Sequence, residues 1–197
     1  NDSTGFIING VGILKTTNGG STWANIIMGF PLPGAINALQ FINAQKAYFT
    51  CSTVNGDDVY TTNNGGATWT KVGMIEGNHT NGMHFTNKDT GFVVDYKMIY
   101  KTTDGGVTWD TCFYDPNGMI LLSIFFRNNE LGWASYESPN LTQHYLMRTT
   151  DGGKNWTTRQ TDELIRSYSF LNDSVGFAAG GGNSIYKTIN GGKDWIT

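Results

Sequence analysis

An eight-residue segment that ends in Trp occurs five times in this 197-residue chain and limits the folds that the chain can adopt. Successive Trp residues of these segments lie 46, 40, 47 and 39 positions apart. Repeats of about 40 to 50 residues are typical of β-propellers, in which each blade is an antiparallel sheet of four strands. The period therefore predicts an all-β propeller with about five blades visible. The segments begin at Thr16, Thr62, Thr102, Thr149 and Thr188.

Four strand signals occur in a constant order within each repeat. A first strand ends on Phe, and after a turn led by Asn the second strand opens with a small residue and an aromatic residue. A third, apolar strand ends at the Trp-containing segment, and a fourth begins after the Trp. No stretch shows a sustained helical period. We predict one propeller domain over residues 1–197, with blade copies near 1–26, 35–72, 79–112, 118–159 and 164–197.

The two ends of the chain do not hold complete repeats. Residues 1–6 align with residues 172–177, so the first copy begins after the place where its first strand should end. The last copy stops two residues after Trp195, within its fourth strand. We therefore expect the chain to be part of a larger propeller. Closure of the ring by five blades is the alternative.

The Trp-ending segment, which we call the box, has a structural explanation. Its consecutive Gly residues supply the positive φ angles that a tight turn requires. The Asn or Asp at its third position accepts hydrogen bonds from turn amides, and the Trp covers the hairpin with an apolar face. We therefore predict a structural role for both sets of residues. They are Asn18, Trp23, Asn64, Trp69, Asp104, Trp109, Asp151, Trp156, Asn190 and Trp195.

The box resembles the Asp-box, or BNR, repeat of sialidases, sortilin-type receptors and xyloglucanases. The fuller unit, Phe85-x-Asn-x-x-x-Gly-Phe92 followed by Ile99-Tyr-Lys-Thr-Thr-Asp-Gly-Gly-Val-Thr-Trp109, resembles the repeat of the photosystem II assembly/stability factor-like family, which also occurs in bacterial secreted proteins. Asn155 and Asp194 replace the usual box Thr. The resemblance covers essentially the whole chain and implies a β-propeller, but it does not identify a ligand.

Loop lengths differ between the two ends of each predicted blade. The first-strand Phe and the second-strand aromatic residue lie seven positions apart in four copies, as do the box Thr and the box Trp in five. The other two connections vary in length and lie at the opposite end of the blade, which we call the variable face. Loops on a rigid scaffold commonly bind ligands. The candidate binding residues in or near these loops are Phe30, Glu76, His79, Phe113, Tyr114, Tyr136, His144 and Arg166.

Composition and motifs narrow the function further. A net charge of −3 with 15% charged residues disfavours a nucleic-acid surface, and no apolar run approaches the ~20 residues of a membrane-spanning helix. The three His residues are not spaced as a metal site. We predict a non-catalytic binding or assembly propeller without cofactor or metal. Its partner would be a protein, a glycan or the remainder of a larger chain or complex, and its Asn/Thr/Gly-rich composition favours a secreted or cell-surface bacterial location.

A glycoside hydrolase is the alternative prediction, because the resemblance includes sialidases and xyloglucanases. Such enzymes need two carboxylates roughly 5 to 10 Å apart, and no acidic pair in the sequence is marked by spacing. Sialidases also bind their substrate carboxylate with three Arg side chains. Of the four Arg residues here, Arg166 alone is placed to reach the channel mouth, so we predict no catalytic residues. For Cys51 and Cys112, buried free thiols are favoured over a disulfide.

Overall fold

Eighteen β-strands and no helix form the regular secondary structure of the residues that this computed structural model describes, which are 3–9, 12–26, 28–77, 79–182 and 184–196. The strands combine in chain order into five sheets, three with four strands and two with three. The prediction of an all-β fold built from blade-like sheets is confirmed.

Each sheet takes its strands from one repeat. The first contains β1 (Gly5–Ile8), β2 (Ile13–Thr16) and β3 (Ala24–Asn25). The second contains β4 (Ile36–Phe41), β5 (Ala47–Thr53), β6 (Gly56–Thr62) and β7 (Thr70–Glu76). The third contains β8 (Gly82–Phe85), β9 (Gly91–Val94), β10 (Met98–Thr102) and β11 (Asp110–Tyr114). The fourth contains β12 (Ile120–Phe126), β13 (Gly132–Glu137), β14 (His144–Thr149) and β15 (Thr157–Thr161). The fifth contains β16 (Ile165–Phe170), β17 (Gly176–Gly180) and β18 (Ile185–Thr188), with an isolated bridge from Lys187 to Ile196 where a fourth strand would lie.

The strand boundaries follow the repeat. First strands β4, β8, β12 and β16 end on the predicted Phe, and all five third strands end on the box Thr. Burial differs between the strands of a sheet. The third strand β6 and the second strand β9 are buried along their whole length, whereas the fourth strand β15 is largely exposed.

The chain divides into two compact units, Asn1–Gly91 with Lys101–Asp110 and Phe92–Tyr100 with Thr111–Thr197. Each unit has its own apolar core. In the first unit the core includes Ile13, Ile36, Phe49, Tyr60 and Trp69. In the second unit one cluster includes Phe92, Ile99, Leu121, Phe126 and Met147, and another includes Trp133, Leu146, Ile165, Tyr186 and Trp195.

A row of aromatic contacts joins neighbouring sheets within each unit. The aromatic residue of a second strand stacks on the Phe that ends the first strand of the following sheet. That Phe also meets the box Trp of its own sheet edge on, as Phe126 meets Trp156 with ring centroids 6.0 Å apart. Stacked and edge-on aromatic pairs are both favourable, so the repeated Phe and Trp are packing residues. The stacked pairs are Phe6–Phe41 (3.5 Å), Tyr48–Phe85 (3.8 Å), Phe92–Phe126 (3.5 Å) and Trp133–Phe170 (4.5 Å).

The small residue that opens each second strand has a steric cause. A Cβ atom at Gly132 would lie 2.6 Å from atoms of the Phe126 ring. Because protein interiors are close-packed, any side chain there would push Phe126 out of its stack on Phe92. Gly at this position thus leaves room for the Phe ring in the third, fourth and fifth sheets, whereas the second sheet has Ala47 in its place.

Both cysteines are free thiols. Cys51 is buried in β5, as predicted, and burial raises the pKa of its thiol. Cys112 lies in β11 and is only half-buried, which differs from the prediction of a buried thiol.

Candidate binding face

The five boxes are closed, hydrogen-bonded turns. In the third box, the Thr102 hydroxyl donates to the Asp104 carboxylate (2.8 Å) and accepts from the Gly106 amide (2.9 Å). Asp104 also accepts from the hydroxyl (2.6 Å) and the amide (3.0 Å) of Thr108, and these bonds lower its pKa to about 2. The polar box groups are thus bonded within their own turns. The same hydroxyl-centred bonds recur at Thr16, Thr62, Thr149 and Thr188.

The loops of the variable face are shorter than the sequence pattern predicts, because strands extend into them. Only residues 54 and 55 separate β5 from β6, and residues 138–143 separate β13 from β14. The predicted loop position of Tyr136 is therefore wrong, since it lies within β13. Five other candidates also lie in strands: Glu76 ends β7, Phe113 and Tyr114 end β11, His144 begins β14, and Arg166 is in β16.

Three of the aromatic candidates pack inward. Tyr136 is buried and stacks on Tyr145 with ring centroids 4.7 Å apart, and its burial raises the pKa of its hydroxyl. Phe30 is half-buried and stacks on Tyr60 with centroids 5.2 Å apart. Phe113 is half-buried and packs against the cluster that contains Phe92 in the second unit. These rings contribute to the core, and little of their area is presented to a ligand.

His79 belongs to a hydrogen-bonded cluster around a buried carboxylate in the first unit. The Asp57 carboxylate accepts from the Asn37 amide group (2.9 Å) and the Thr80 backbone amide (2.7 Å). The Nδ1 atom of His79 lies 3.1 Å from the same carboxylate, while most of its ring is exposed. Asp57 therefore holds the segment after β7 in place and leaves one edge of His79 in solvent.

His144 lies at the base of the longest connection between a second and a third strand. It pairs with Glu137 across β13 and β14, and its Nε2 atom lies 4.0 Å from the Glu137 carboxylate. Both side chains are half-buried. His144 therefore supports the loop of residues 138–143 and is not at its tip.

The tip of that loop is Leu141, which is not among the predicted binding residues. Its φ is 59°, in the left-handed region that side chains other than Gly rarely adopt. The Leu141 amide donates to the Ser138 carbonyl (2.8 Å), and the Asn140 side chain accepts from the hydroxyls of Ser138 (2.6 Å) and Thr142 (2.8 Å). The loop is thus held by its own hydrogen bonds and exposes an apolar side chain.

Two further loops of the second unit are built around buried Asp residues. Asp95 accepts from the amides of Lys97 and Met98, both at 2.7 Å, and Asp115 accepts from the amide of Met119 at 2.8 Å. The Asp115 amide donates to the Lys97 carbonyl (2.9 Å), which joins the two loops. Such Asx-turns order a loop backbone without neighbouring secondary structure.

Next to these Asp residues, the side chains of Tyr96 and Tyr114 are exposed. Tyr114 was predicted from the sequence, and Tyr96 was not. Glu76 and Arg166 are also exposed candidates, one in each unit. Tyr96 and Leu141 each follow an Asp or Asn that forms a turn. This signal in the sequence could have identified both residues as exposed.

A family model, a curated protein and a solved structure that match this chain are all of the YCF48 type. The family model for the Photosynthesis system II assembly factor YCF48 matches residues 71–165. The Photosystem II assembly lipoprotein Ycf48 of Synechococcus sp. (strain CC9902) is 34% identical over 119 residues, which is 56% of this chain and 34% of that protein. The structure of YCF48 bound to D1 peptide matches 98% of this chain and 62% of its own, with a TM-score of 0.70 and 16% identity. The chain has the fold of an Asp-box β-propeller, and its residues 71–165 match the photosystem II assembly factor family.

This propeller shares its fold with enzymes as well. The Niastella koreensis GH74 enzyme has a TM-score of 0.70 and 17% identity, over 100% of this chain and 36% of that one. Identity this low shows the fold alone. The alignment with the Synechococcus Ycf48 protein covers 34% of that protein, so this chain spans only part of its length.

Two features are absent from the described ranges. No helix in them is both long and apolar enough to span a membrane. Across the same residues, no group of three or more His, Cys, Asp and Glu side chains is arranged to hold a metal ion.

Proposed function

We propose that this propeller is a non-catalytic binding or assembly module that holds a protein partner at its variable face. The observation that carries the proposal is the combination of fixed loops with exposed apolar and aromatic side chains. Tyr96, Tyr114 and Leu141 are exposed beside turns that hydrogen bonds hold in place. A preformed surface of this kind loses little conformational entropy on binding, and Tyr is enriched at interface hot spots.

Similar proteins support a protein ligand. A solved YCF48 structure holds a D1 peptide, and the Synechococcus relative is an assembly lipoprotein. We infer that this chain also binds a peptide segment of its partner. A secreted or cell-surface location in a bacterium fits the lipoprotein relative. A glycan is the second ligand class, since Tyr rings beside amide and carboxylate groups also suit sugars.

Four acidic residues, Asp57, Asp58, Asp95 and Asp115, support binding over glycoside hydrolysis. A glycosidase needs two carboxylates that face its substrate, roughly 5 to 10 Å apart. Asp57, Asp95 and Asp115 are buried, and each accepts hydrogen bonds from the backbone around it. Asp58 pairs with Lys71 at 2.6 Å. These four carboxylates are already engaged in holding the loops and strands.

The test is a screen of the chain on peptide and glycan arrays that include the D1 peptide, together with a triple variant. The variant carries Tyr96→Ser, Tyr114→Ser and Leu141→Ser. Because all three side chains are exposed, the variant should keep the fold. We expect its affinity for the selected peptide to fall at least about tenfold, since a few anchor residues, commonly Tyr, carry most of the binding energy of an interface.

The matched control replaces two exposed apolar residues of the constant turns. Leu171→Ser and Ile189→Ser change the β16–β17 turn and the fifth box, and the double variant should bind like wild type. Equal binding by all three proteins would contradict the proposal. Glycan binding that the triple variant loses would change the ligand class, and hydrolysis of a glycan would favour the glycosidase.

A further inference from the structure

Asn followed directly by Gly occurs seven times in this chain. Asn is a thermolabile residue, and Gly makes it more so, because Gly has no side chain to keep its backbone nitrogen away from the Asn side chain. Attack of that nitrogen on the Cγ atom of Asn forms a cyclic imide and releases ammonia, and water then opens the ring to Asp or isoaspartate. A Gly amide that is held in a hydrogen bond resists this attack. The seven pairs begin at Asn9, Asn18, Asn55, Asn64, Asn81, Asn117 and Asn190.

Three of the pairs lie in boxes, where both reacting groups are held. In the second box, the Gly65 amide donates to the Gln45 carbonyl (2.9 Å). The Asn64 side chain donates to the Thr68 hydroxyl (2.8 Å) and accepts from the Thr68 amide (2.9 Å). In the first and fifth boxes the corresponding Gly amide also donates to a carbonyl of the neighbouring turn, at 2.8 and 2.9 Å. These hydrogen bonds must break before the Gly nitrogen can reach Cγ.

Two further pairs have their Gly in a strand. Gly56 is buried in β6, where it pairs with Glu76 of β7. Gly82 begins β8. The backbone of a strand is restrained by its ladder, so neither Gly moves freely toward the preceding side chain. The Gly of the pair at Asn9 lies outside the described residues.

The pair at Asn117 and Gly118 is the least restrained of those described. It lies in the loop between β11 and β12, and Asn117 is exposed. Among the hydrogen bonds of the described residues, none has the Gly118 amide as its donor. The Asn117 side chain makes one bond, from Nδ2 to the Asp115 carboxylate at 3.2 Å, which is the long end of the usual range. The nitrogen that attacks is therefore free, and the group that it attacks is weakly held.

We propose that Asn117 is a site of spontaneous deamidation, and that its conversion loosens the loop of residues 115–119. The Gly118 nitrogen attacks Cγ and loses its proton to water, the Cγ–Nδ2 bond breaks, and ammonia leaves. Water then opens the imide to a carboxylate. The inference does not depend on the function proposed for the variable face.

The consequence for the loop follows from the position of Asp115, which is 2% exposed. Its carboxylate accepts from the backbone amides of Asn117 (2.9 Å) and Met119 (2.8 Å), in addition to the Asn117 side chain. Deamidation replaces that side-chain donor with a second negative charge. Like charges at this separation repel, and the repulsion is strong next to a buried group. The bonds that order the loop are therefore weakened.

Incubation of the chain in mildly alkaline buffer, followed by peptide mapping with mass spectrometry, tests the site. The box pair at Asn64 is an internal control in the same digest. We expect Asn117 to convert at least about tenfold faster than Asn64, because the hydrogen bonds of the box must break first. In urea we expect similar rates at the two positions, since both Asn residues precede Gly. Equal rates in the native chain, or a ratio that persists in urea, would overturn the proposal.

Two variants test the effect on the loop. Asn117→Asp carries the charge of the product, and Asn117→Ser is the matched control, since it removes the Nδ2 donor without adding charge. Because Asn117 is exposed, both variants should keep the fold. We expect hydrogen exchange of the Met119 amide, which donates to Asp115, to be severalfold faster in Asn117→Asp than in Asn117→Ser. Equal exchange in the two variants would show that the charge does not loosen the loop and would contradict that part of the proposal.

Discussion

The second-strand aromatic position allows one substitution to be compared in two environments of the same protein. Phe92→Ala removes a fully buried ring that stacks on Phe126 with centroids 3.5 Å apart. Phe177→Ala removes a ring that is 36% exposed, and no ring in the described part of the chain stacks on it. The repeat position is identical, so the difference in unfolding free energy measures the contact with the following sheet.

The magnitude follows from burial. Phe→Ala in a core costs about 3–5 kcal/mol, which includes the cavity left behind. Phe177→Ala removes only part of the ~1.5–3 kcal/mol that full burial of a Phe side chain provides, because this ring is partly exposed. The substitution also leaves no closed cavity. We therefore expect Phe92→Ala to cost about 2–3 kcal/mol more than Phe177→Ala, as the difference between these two estimates.

Urea unfolding followed by Trp fluorescence measures both losses. A double-mutant cycle with Phe92→Ala and Phe126→Ala isolates the ring contact, for which we expect a coupling of about 0.5–1.5 kcal/mol. Equal losses at the two positions, within about 0.5 kcal/mol, would refute the argument that sheet-to-sheet stacking stabilises the blades.

Two further predictions concern the boxes and the turns. The pKa of Asp104 is lowered from 3.8 to about 2, so its contribution to stability is present above pH 3.8 and is lost as the pH falls toward 2. Thermal midpoints should therefore fall less on acidification in Asp104→Asn than in wild type, and an equal fall would contradict the assignment. Gly192→Ala should cost more than Gly29→Ala, although both residues have positive φ (70° and 77°). A Cβ at Gly192 would lie 2.5 Å from the Trp133 ring, whereas one at Gly29 would meet nothing within 4 Å. We expect about 1–2 kcal/mol for Gly29→Ala and roughly twice that for Gly192→Ala by urea unfolding; similar values would exclude the steric clash.

The candidate site was only partly predictable. Tyr114 is exposed as the sequence analysis expects, but Phe30 and Tyr136 pack inward against Tyr60 and Tyr145. Aromatic residues near a loop are equally consistent with a binding surface and with a cover for the core. The partners that decide between the two come from other strands, and the sequence pattern does not identify them.

The turns and strand ends within each blade follow from the local sequence. The box turn from Thr102 to Trp109 closes through bonds among residues no more than four positions apart, such as those of Asp104 with Thr108. Strand ends at Phe126 and Phe170 follow from the same local repeat. Features of this kind depend on near neighbours in the chain, so a repeated pattern is sufficient to predict them.

Which of the repeated residues are covered depends on contacts between sheets. Leu146 and Ile185 occupy the same position of the repeat, yet the first is 2% exposed and the second is 64% exposed. The difference arises because β16 lies against the fourth sheet, and no described strand lies in that way against the fifth. Burial depends on neighbours in space that are distant in the chain, and a local pattern carries no information about them.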